Sequence, residues 1–155
     1  MTTASRLEHP RIKAFINHVK SECKRTGIRV ELRNVRYLML GHGMKCSGYF
    51  DEANRKLVVA MLNPVAVEVL VHEFGHFTQW DENIPIWKEA GFAMGHIEEW
   101  LNGKTKRSIE KWMALSRDLE LDNEKRSVQL IKDFNLPINI EKYTRCANAY
   151  VLFYN

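Results

Sequence analysis

The sequence predicts a single α+β domain over residues 1–155, with a small twisted sheet in its first part and a helical second half. Three observations predict it. Segments rich in Val, Leu, Ile and aromatic residues, with partial alternation, lie between residues 28 and 62. From Asn63 onward the apolar residues recur at spacings of three and four, the helical period. Residues 105–134 contain neither Gly nor Pro, the residues that most often interrupt a helix.

The elements follow in order. Pro10 to Thr26 reads as an amphipathic helix with Ile12, Phe15, Ile16 and Val19 on one face, ended by Gly27. "IRVELRNVRYLML" reads as a strand, and "GHGMKCSG" as a glycine-rich connection. "YFDEANRKLVVAML" reads as a hairpin whose polar turn lies near Asp51 to Arg55 and whose second strand is Leu57 to Leu62. Asn63-Pro64 pairs a capping residue with a proline at the first helical position, so a helix is expected to open there and run to about Gln79 or Trp80. Pro85, Gly91, Gly95 and Gly103 break residues 81–104 into short pieces. Thr105 to Phe134 reads as one long helix, ended before Pro137. Asn139 caps a last helix.

Composition bounds the function. The chain is 45% hydrophobic and 27% charged, ordinary for a globular protein, and long enough to bury a core without disulfides. Cys23, Cys46 and Cys146 are odd in number and form no CxxC pair. That argues against a disulfide framework and against a cysteine zinc knuckle, and fits free thiols in a reducing cytoplasm. The polar N-terminus shows no secretory apolar region, and no apolar run reaches the roughly 18 residues that cross a bilayer. A cytoplasmic location without membrane contact is the expectation. The net charge of +4 is spread along the chain; it permits nucleic-acid contact without indicating it.

The chemistry is concentrated in "VLVHEFGHFTQW". On a helix, Val65, Val69, His72 and His76 share one arc, Glu73 stands at its edge, and Val67, Leu70, Phe74 and Phe77 lie opposite. Residues four apart have Cβ atoms roughly 5–6 Å apart. Two imidazoles at that spacing can converge on one ion at Zn–N distances of about 2.0–2.1 Å. The offset glutamate can approach a water on that ion without ligating the metal, which is the physical content of the HExxH pattern. Gly75 costs helix stability and so implies a packing reason, the close approach of another backbone.

A catalytic zinc wants three protein ligands plus a water. His96 is one candidate for the third. The long helix offers two others. Its stripe of Ile109, Met113, Ser116, Glu120, Glu124, Ser127, Ile131 and Phe134 holds two carboxylates among apolar or small residues. Buried carboxylates need a cation or hydrogen-bond partners. Asp118 and Asp122 point to the other side, with Lys125 and Lys132, and read as a solvated face.

His72-Glu73-x-x-His76 followed by Glu120-x-x-x-Glu124 resembles the gluzincin pattern HExxH…ExxxD of zincin metallopeptidases. "ELDNEKRSVQLI" is similar to the corresponding helix of ImmA/IrrE-like metallopeptidases, where small residues follow the ligand at three and seven positions. Asn123 and Ser127 hold those places if Glu120 is the ligand; Ile131 holds the second if Glu124 is. On the HExxH motif and this stretch extended through "KDFNLP", the whole chain also resembles small zincin-like proteins of tailed bacteriophages, which implies the host cytoplasm. The metzincin pattern does not fit, because Gln79 and Glu82 stand where it requires Gly and His. Asn123 departs from the usual alanine and Glu124 from aspartate.

The resemblance implies a minimal zincin-like domain with one Zn2+ per chain. His72, His76 and Glu120 would hold the metal, and Glu124 would orient His72 from behind. Glu73 would act as general base in the hydrolysis of protein or peptide substrates. Tyr143, Tyr150, Tyr154 and His96 are the candidate donors to the carbonyl oxygen in the transition state. The strand Leu57 to Leu62 is a candidate edge for an extended peptide. Trp80, Trp87, Trp100 and Trp112 are expected to cluster around the broken segment as core or lid. Two rival functions are a zinc-binding module without proteolysis and a DNA-associated SprT-like protease. Intact Glu73 speaks against the first, and salt-dependent DNA binding would mark the second.

Overall fold

A computed structural model of the chain describes residues 3–105 and 107–153. It is an α+β fold in which a small sheet packs on one face of the HExxH helix and the helical C-terminal half packs on another.

A short helix, α1 (Thr3–Leu7), precedes α2 (Pro10–Arg25). The ring of His9 accepts the Arg11 amide at 3.2 Å and caps α2. Ile12, Phe15 and Val19 are buried on its inner face, and Gly27 follows at φ +76, a conformation that suits glycine. The strand expected over residues 28–40 is broken. β1 covers Arg29–Arg33; β2 (Leu38–Met39) turns through a 3₁₀ segment at Gly41–Gly43 and pairs with β3 (Lys45–Cys46). The intervening residues 34–37 alternate polar and apolar, but Val35 and Tyr37 are exposed, so no core burial continues the strand through them, and Val35 O instead accepts the Leu62 amide at 3.0 Å.

The expected hairpin is present as β4 (Gly48–Asp51) and β5 (Lys56–Ala60). Asp51 Oδ1 accepts the Asn54 amide at 3.0 Å, and Arg55 takes φ 54 to complete the turn. The sheet order is β1-β5-β4, with β5 parallel to β1 and antiparallel to β4. This corrects the expectation that the second hairpin strand is an edge. Leu57, Val58, Val59 and Ala60 are all 0% exposed, the continuous burial of a central strand. β1 and β4 are the edges of this sheet.

The motif helix α3 spans Ala66–Asp81. It opens two residues after Pro64 because Asn63 Oδ1 accepts the Val65 amide at 3.0 Å in a turn. Asn63 Nδ2 also donates to Ser47 Oγ at 2.9 Å, tying the start of α3 to the segment that enters β4. Val67, Leu70, Phe74 and Phe77 are buried, as their arc predicts. The broken segment forms two short helices, α4 (Pro85–Gly91) and α5 (Ala93–Leu101). The long helix, α6 (Ile109–Asp133), starts later than its composition suggests, because Ser108 sits at φ 60 outside the helical region. Asn139 Oδ1 accepts the Lys142 amide at 2.9 Å and caps α7 (Ile140–Phe153). No helix among the described residues is long and apolar enough to cross a membrane.

The crossing of α3 and α6 positions the site. A Cβ on Gly75 would lie 1.8 Å from Asn123 Oδ1 and 3.2 Å from Ser127 Oγ. Asn123 and Ser127 are fully buried there. The glycine is therefore the notch into which α6 seats, the packing reason its position implies.

Candidate metal centre

His72 and His76 project from the same side of α3, with ring centroids 4.7 Å apart. Glu120 reaches them from α6: its Oε2 lies 3.5 Å from His72 Nε2 and its Oε1 lies 3.3 Å from His76 Nε2. The three donor atoms lie within 4.8 Å of one another, and they form the one such group of His, Cys, Asp or Glu among the described residues. Two imidazole nitrogens and a carboxylate oxygen suit zinc and related divalent ions. Ligand distances of about 2.0–2.2 Å in a tetrahedral sphere put donor atoms roughly 3.3–3.6 Å apart. The two histidine–carboxylate spacings, each to a different Glu120 oxygen, fall in that range, and the residues fit such an ion.

Electrostatics in the metal-free chain agree with the geometry. Burial alone would raise the Glu120 carboxyl, but the hydrogen bond and charge of His76, with the charge of His72, hold it below the usual range. Burial alone would lower His76; the bond to Glu120 and the charges of Glu120 and Glu73 outweigh it and raise the ring to about 9. Burial and the neighbouring charge of His76 lower His72. A buried carboxylate that stabilises a proton on the His76 ring, beside a His72 ring that favours its neutral form, is a site where a divalent cation can replace that proton.

Each ring has a partner behind it. His76 Nδ1 lies 2.8 Å from Gln79 Oε1. Gln79 is 0% exposed, and its Nε2 donates to Leu119 O at 3.0 Å and to Asp122 Oδ2 at 2.8 Å. Arg126 Nε donates to the same Asp122 oxygen at 2.6 Å, and Arg126 Nη1 donates to Glu82 Oε2 at 2.7 Å. Partial burial would raise the Asp122 carboxyl, but the bonds from Gln79 and Arg126 hold it low. Asp122 is thus no idle member of a solvated face. The expectation from its helical position is corrected, because the buried amide of Gln79 reaches out to it.

Asn123, not Glu124, is the α6 residue that stands behind His72. Its Nδ2 donates to His72 O at 3.0 Å and stands 3.4 Å from the ring Nδ1. Glu124 is half-buried, makes no hydrogen bond or ion pair among the described residues, and has a carboxyl raised by desolvation.

Glu73 faces a cleft of about 730 Å³ beside His72. Gly48 of β4 forms its near wall: a Cβ there would meet Val69 Cγ1 at 2.5 Å and Glu73 Cγ at 3.4 Å. Tyr143 of α7 stands on the other side, 8% exposed, its hydroxyl without a hydrogen-bond partner in good geometry. Burial pushes this phenol up to about 12; Ser127 opposes the rise, and Glu120, Glu124 and Glu73 add to it.

Among the other candidate donors, His96 stacks on Trp112 with centroids 4.3 Å apart and is not part of the metal group. The side chain of Tyr150 and all of Tyr154 lie outside the described residues. The tryptophans do not form one cluster. Trp80 and Trp87 flank Phe50, with Trp87 also 6.0 Å from His76, whereas Trp112 pairs with His96.

Gln79, Asn123 and Gly48 are the contributors to the site that the sequence reading did not assign. Gln79 carried a legible signal, an amide one turn after His76 on the same helix. Gly48 carried none, since its role depends on which strand lies beside α3. Comparison with protein-family models, curated proteins and solved structures finds no match for this chain.

Proposed function

We propose that the protein is a metal-dependent peptidase of the zincin type, with His72, His76 and Glu120 holding one zinc ion and Glu73 acting as general base. One observation carries the reading: a two-histidine, one-carboxylate group stands at the edge of a cleft that also contains the glutamate between the histidines. Bound zinc supplies Lewis acidity toward a substrate carbonyl and its attacking water. The Glu73 carboxylate accepts a proton from that water and returns it to the leaving amine nitrogen. Gln79 holds His76 in the form whose Nε2 faces the centre. Tyr143, which lines the cleft and whose buried hydroxyl has no partner, would be the donor to the carbonyl oxygen as charge develops on it. The outer edge of β4 supports backbone pairing with an extended peptide, the role first expected of β5.

The test is elemental analysis of untagged protein, chelator competition, and incubation of the zinc-loaded chain with an unfolded labelled protein. Stoichiometric zinc and fragments absent from the chelated control are expected. No stoichiometric metal, with no stabilisation by added zinc, would remove the metal centre. Zinc without hydrolysis would leave a binding module.

A further inference from the structure

The cleft beside Glu73 has a charge pattern that the hydrolytic chemistry does not use. Its floor is one stripe of α3 and the turn before it: Val65, Glu68, Val69, His72 and Glu73. From Glu73 back to Val65 that stripe is roughly 12 Å long, the span of about three or four extended residues. At the start of α3, Arg6 is bidentate to Glu68, at 2.8 Å (Nη2–Oε1) and 3.3 Å (Nη1–Oε2), and donates to Pro64 O at 3.2 Å. This cation is neutralised within the protein.

Two further cations line the cleft. Lys45 comes from β3 and Lys142 from α7, so they stand on different elements flanking the stripe. Neither ammonium makes an ion pair among the described residues. Lys45 Nζ sits 4.4 Å from the centroid of the Tyr37 ring, a contact that restrains the charge without cancelling it. The carboxylates nearest the metal group, Glu73 and Glu120, are engaged by the chemistry proposed above. The rest of the cleft therefore carries an uncompensated positive charge beside the Val65 and Val69 side chains of its floor.

We propose that this cleft selects peptides bearing acidic side chains close to the cleaved bond, with Lys45 and Lys142 as the recognising charges. The proposal rests on the reading of the cleft as a peptide site. Each lysine offers a mobile point charge that a carboxylate can meet in several geometries, which suits a class of sequences better than one sequence. Repulsion of basic peptides contributes as much to selection as attraction of acidic ones.

The test uses the full chain carrying Glu73→Gln, zinc-loaded so that bound peptides persist. Three fluorescent octapeptide mixtures, matched except for Glu, Gln or Lys at the same fixed positions, are titrated by anisotropy. Binding is expected in the order Glu, Gln, Lys, with the first roughly tenfold tighter than the last from two exposed charge contacts, and the gap should shrink as salt rises. The Lys45→Glu, Lys142→Glu double variant, checked for native thermal unfolding, is expected to reverse the order. Equal binding of the three mixtures, binding of none, a gap insensitive to salt, or an unchanged order in a folded double variant would overturn the proposal. Zinc content is measured on the same samples. Zinc-loaded protein without a charge order counts against this proposal alone, and a charge order in protein that takes up no zinc counts against the metal reading alone.

Discussion

His76 and Gln79 stand one helical turn apart on α3, joined by a 2.8 Å contact between Nδ1 and Oε1. The direction of this bond is fixed from outside the pair. Gln79 Nε2 faces the Leu119 carbonyl and the Asp122 carboxylate, which both only accept, so its amide nitrogen must point that way. Its oxygen must then face His76, and an oxygen can only accept. The proton is therefore on Nδ1, and Nε2 is the nitrogen left for a metal. A half-buried ion pair between Asp122 and Arg126 thus sets the tautomer of the His76 ring through one buried amide.

Gln79→Met keeps the volume and removes the acceptor; Gln79→Glu keeps the acceptor. The methionine variant should bind zinc about 10–100-fold more weakly, the usual scale for losing a partner behind a ligand. The glutamate variant should stay closer to wild type. Asp122→Ala should fall between, because Leu119 O still holds one amide proton. Chelator competition gives the affinities, and the hydrogen-bonded Nδ1–H of His76 in ¹H–¹⁵N spectra reports the bond directly. A methionine variant with wild-type affinity and an intact signal would refute the relay.

Gly75→Ala tests the notch between α3 and α6. Alanine in a helix is worth about 1 kcal/mol over glycine, whereas overpacking a filled site costs about 1–3 kcal/mol. The Cβ would fall 1.8 Å from Asn123 Oδ1, and Asn123 can yield only by giving up its bond to His72 O. Net destabilisation is expected. With Asn123→Ala as the second substitution the two should be strongly non-additive, a coupling read by denaturant unfolding of all four proteins. A Gly75→Ala protein more stable than wild type would mean that the helices are not seated as described.

The three thiols should separate by burial. Cys23 is fully buried, and desolvation, with lesser contributions from Glu22 and Asp81, pushes it up to about 12. Cys146 is exposed and Cys46 half-buried. At mildly alkaline pH a disulfide reagent should label Cys146 first and leave Cys23 untouched until unfolding. The raised value also links to stability. The contribution of neutral Cys23 is complete below the ordinary thiol value of 9.0 and is lost as pH rises from there toward about 12. Urea unfolding of wild type should therefore weaken more steeply above pH 9 than that of Cys23→Ala. Parallel pH dependences would contradict the assignment.

The parts of this molecule that were legible in its sequence are those fixed by local pattern. The arc of Val67, Leu70, Phe74 and Phe77 gave the buried face of α3, and Asn139 gave the start of α7. What was not legible depends on partners distant in the chain. The central place of β5 follows from pairing with β1, which lies on the far side of a long connection. The roles of Asp122 and Gly48 likewise require knowing which helix and which strand come alongside α3. Helical position alone sent Asp122 outward, and it does point outward. A buried glutamine that reaches to the rim is what brings it into the site.

Glu73→Gln separates binding from turnover. The substitution conserves size but leaves no group able to take a proton from water. Zinc content should stay at the wild-type level while hydrolysis of any verified substrate disappears. Hydrolysis at the wild-type rate would remove Glu73 as the base.

The order of the two acids on α6 is the sharpest test of the proposed metal centre. Glu120 places its two oxygens 3.5 and 3.3 Å from the Nε2 atoms of His72 and His76, so it is the acid positioned to complete the donor set. Glu124, one turn on, makes no hydrogen bond or ion pair among the described residues, and burial without a partner is what raises its carboxyl. The position behind His72 is instead taken by Asn123, whose amide bonds the His72 carbonyl. Losing one of three ligands should weaken zinc by more than the roughly 10–100-fold typical of an outer partner. Glu120→Ala should therefore lose most zinc binding. Asn123→Ala should lose an intermediate amount. Glu124→Ala should change affinity least, and its removal of a desolvated acid should leave stability unchanged or higher. Competition titrations on the three variants give the order directly. A Glu124→Ala protein that binds zinc more weakly than Glu120→Ala would mean that Glu124 is the ligand, and that α6 turns its stripe toward α3 by a different rotation.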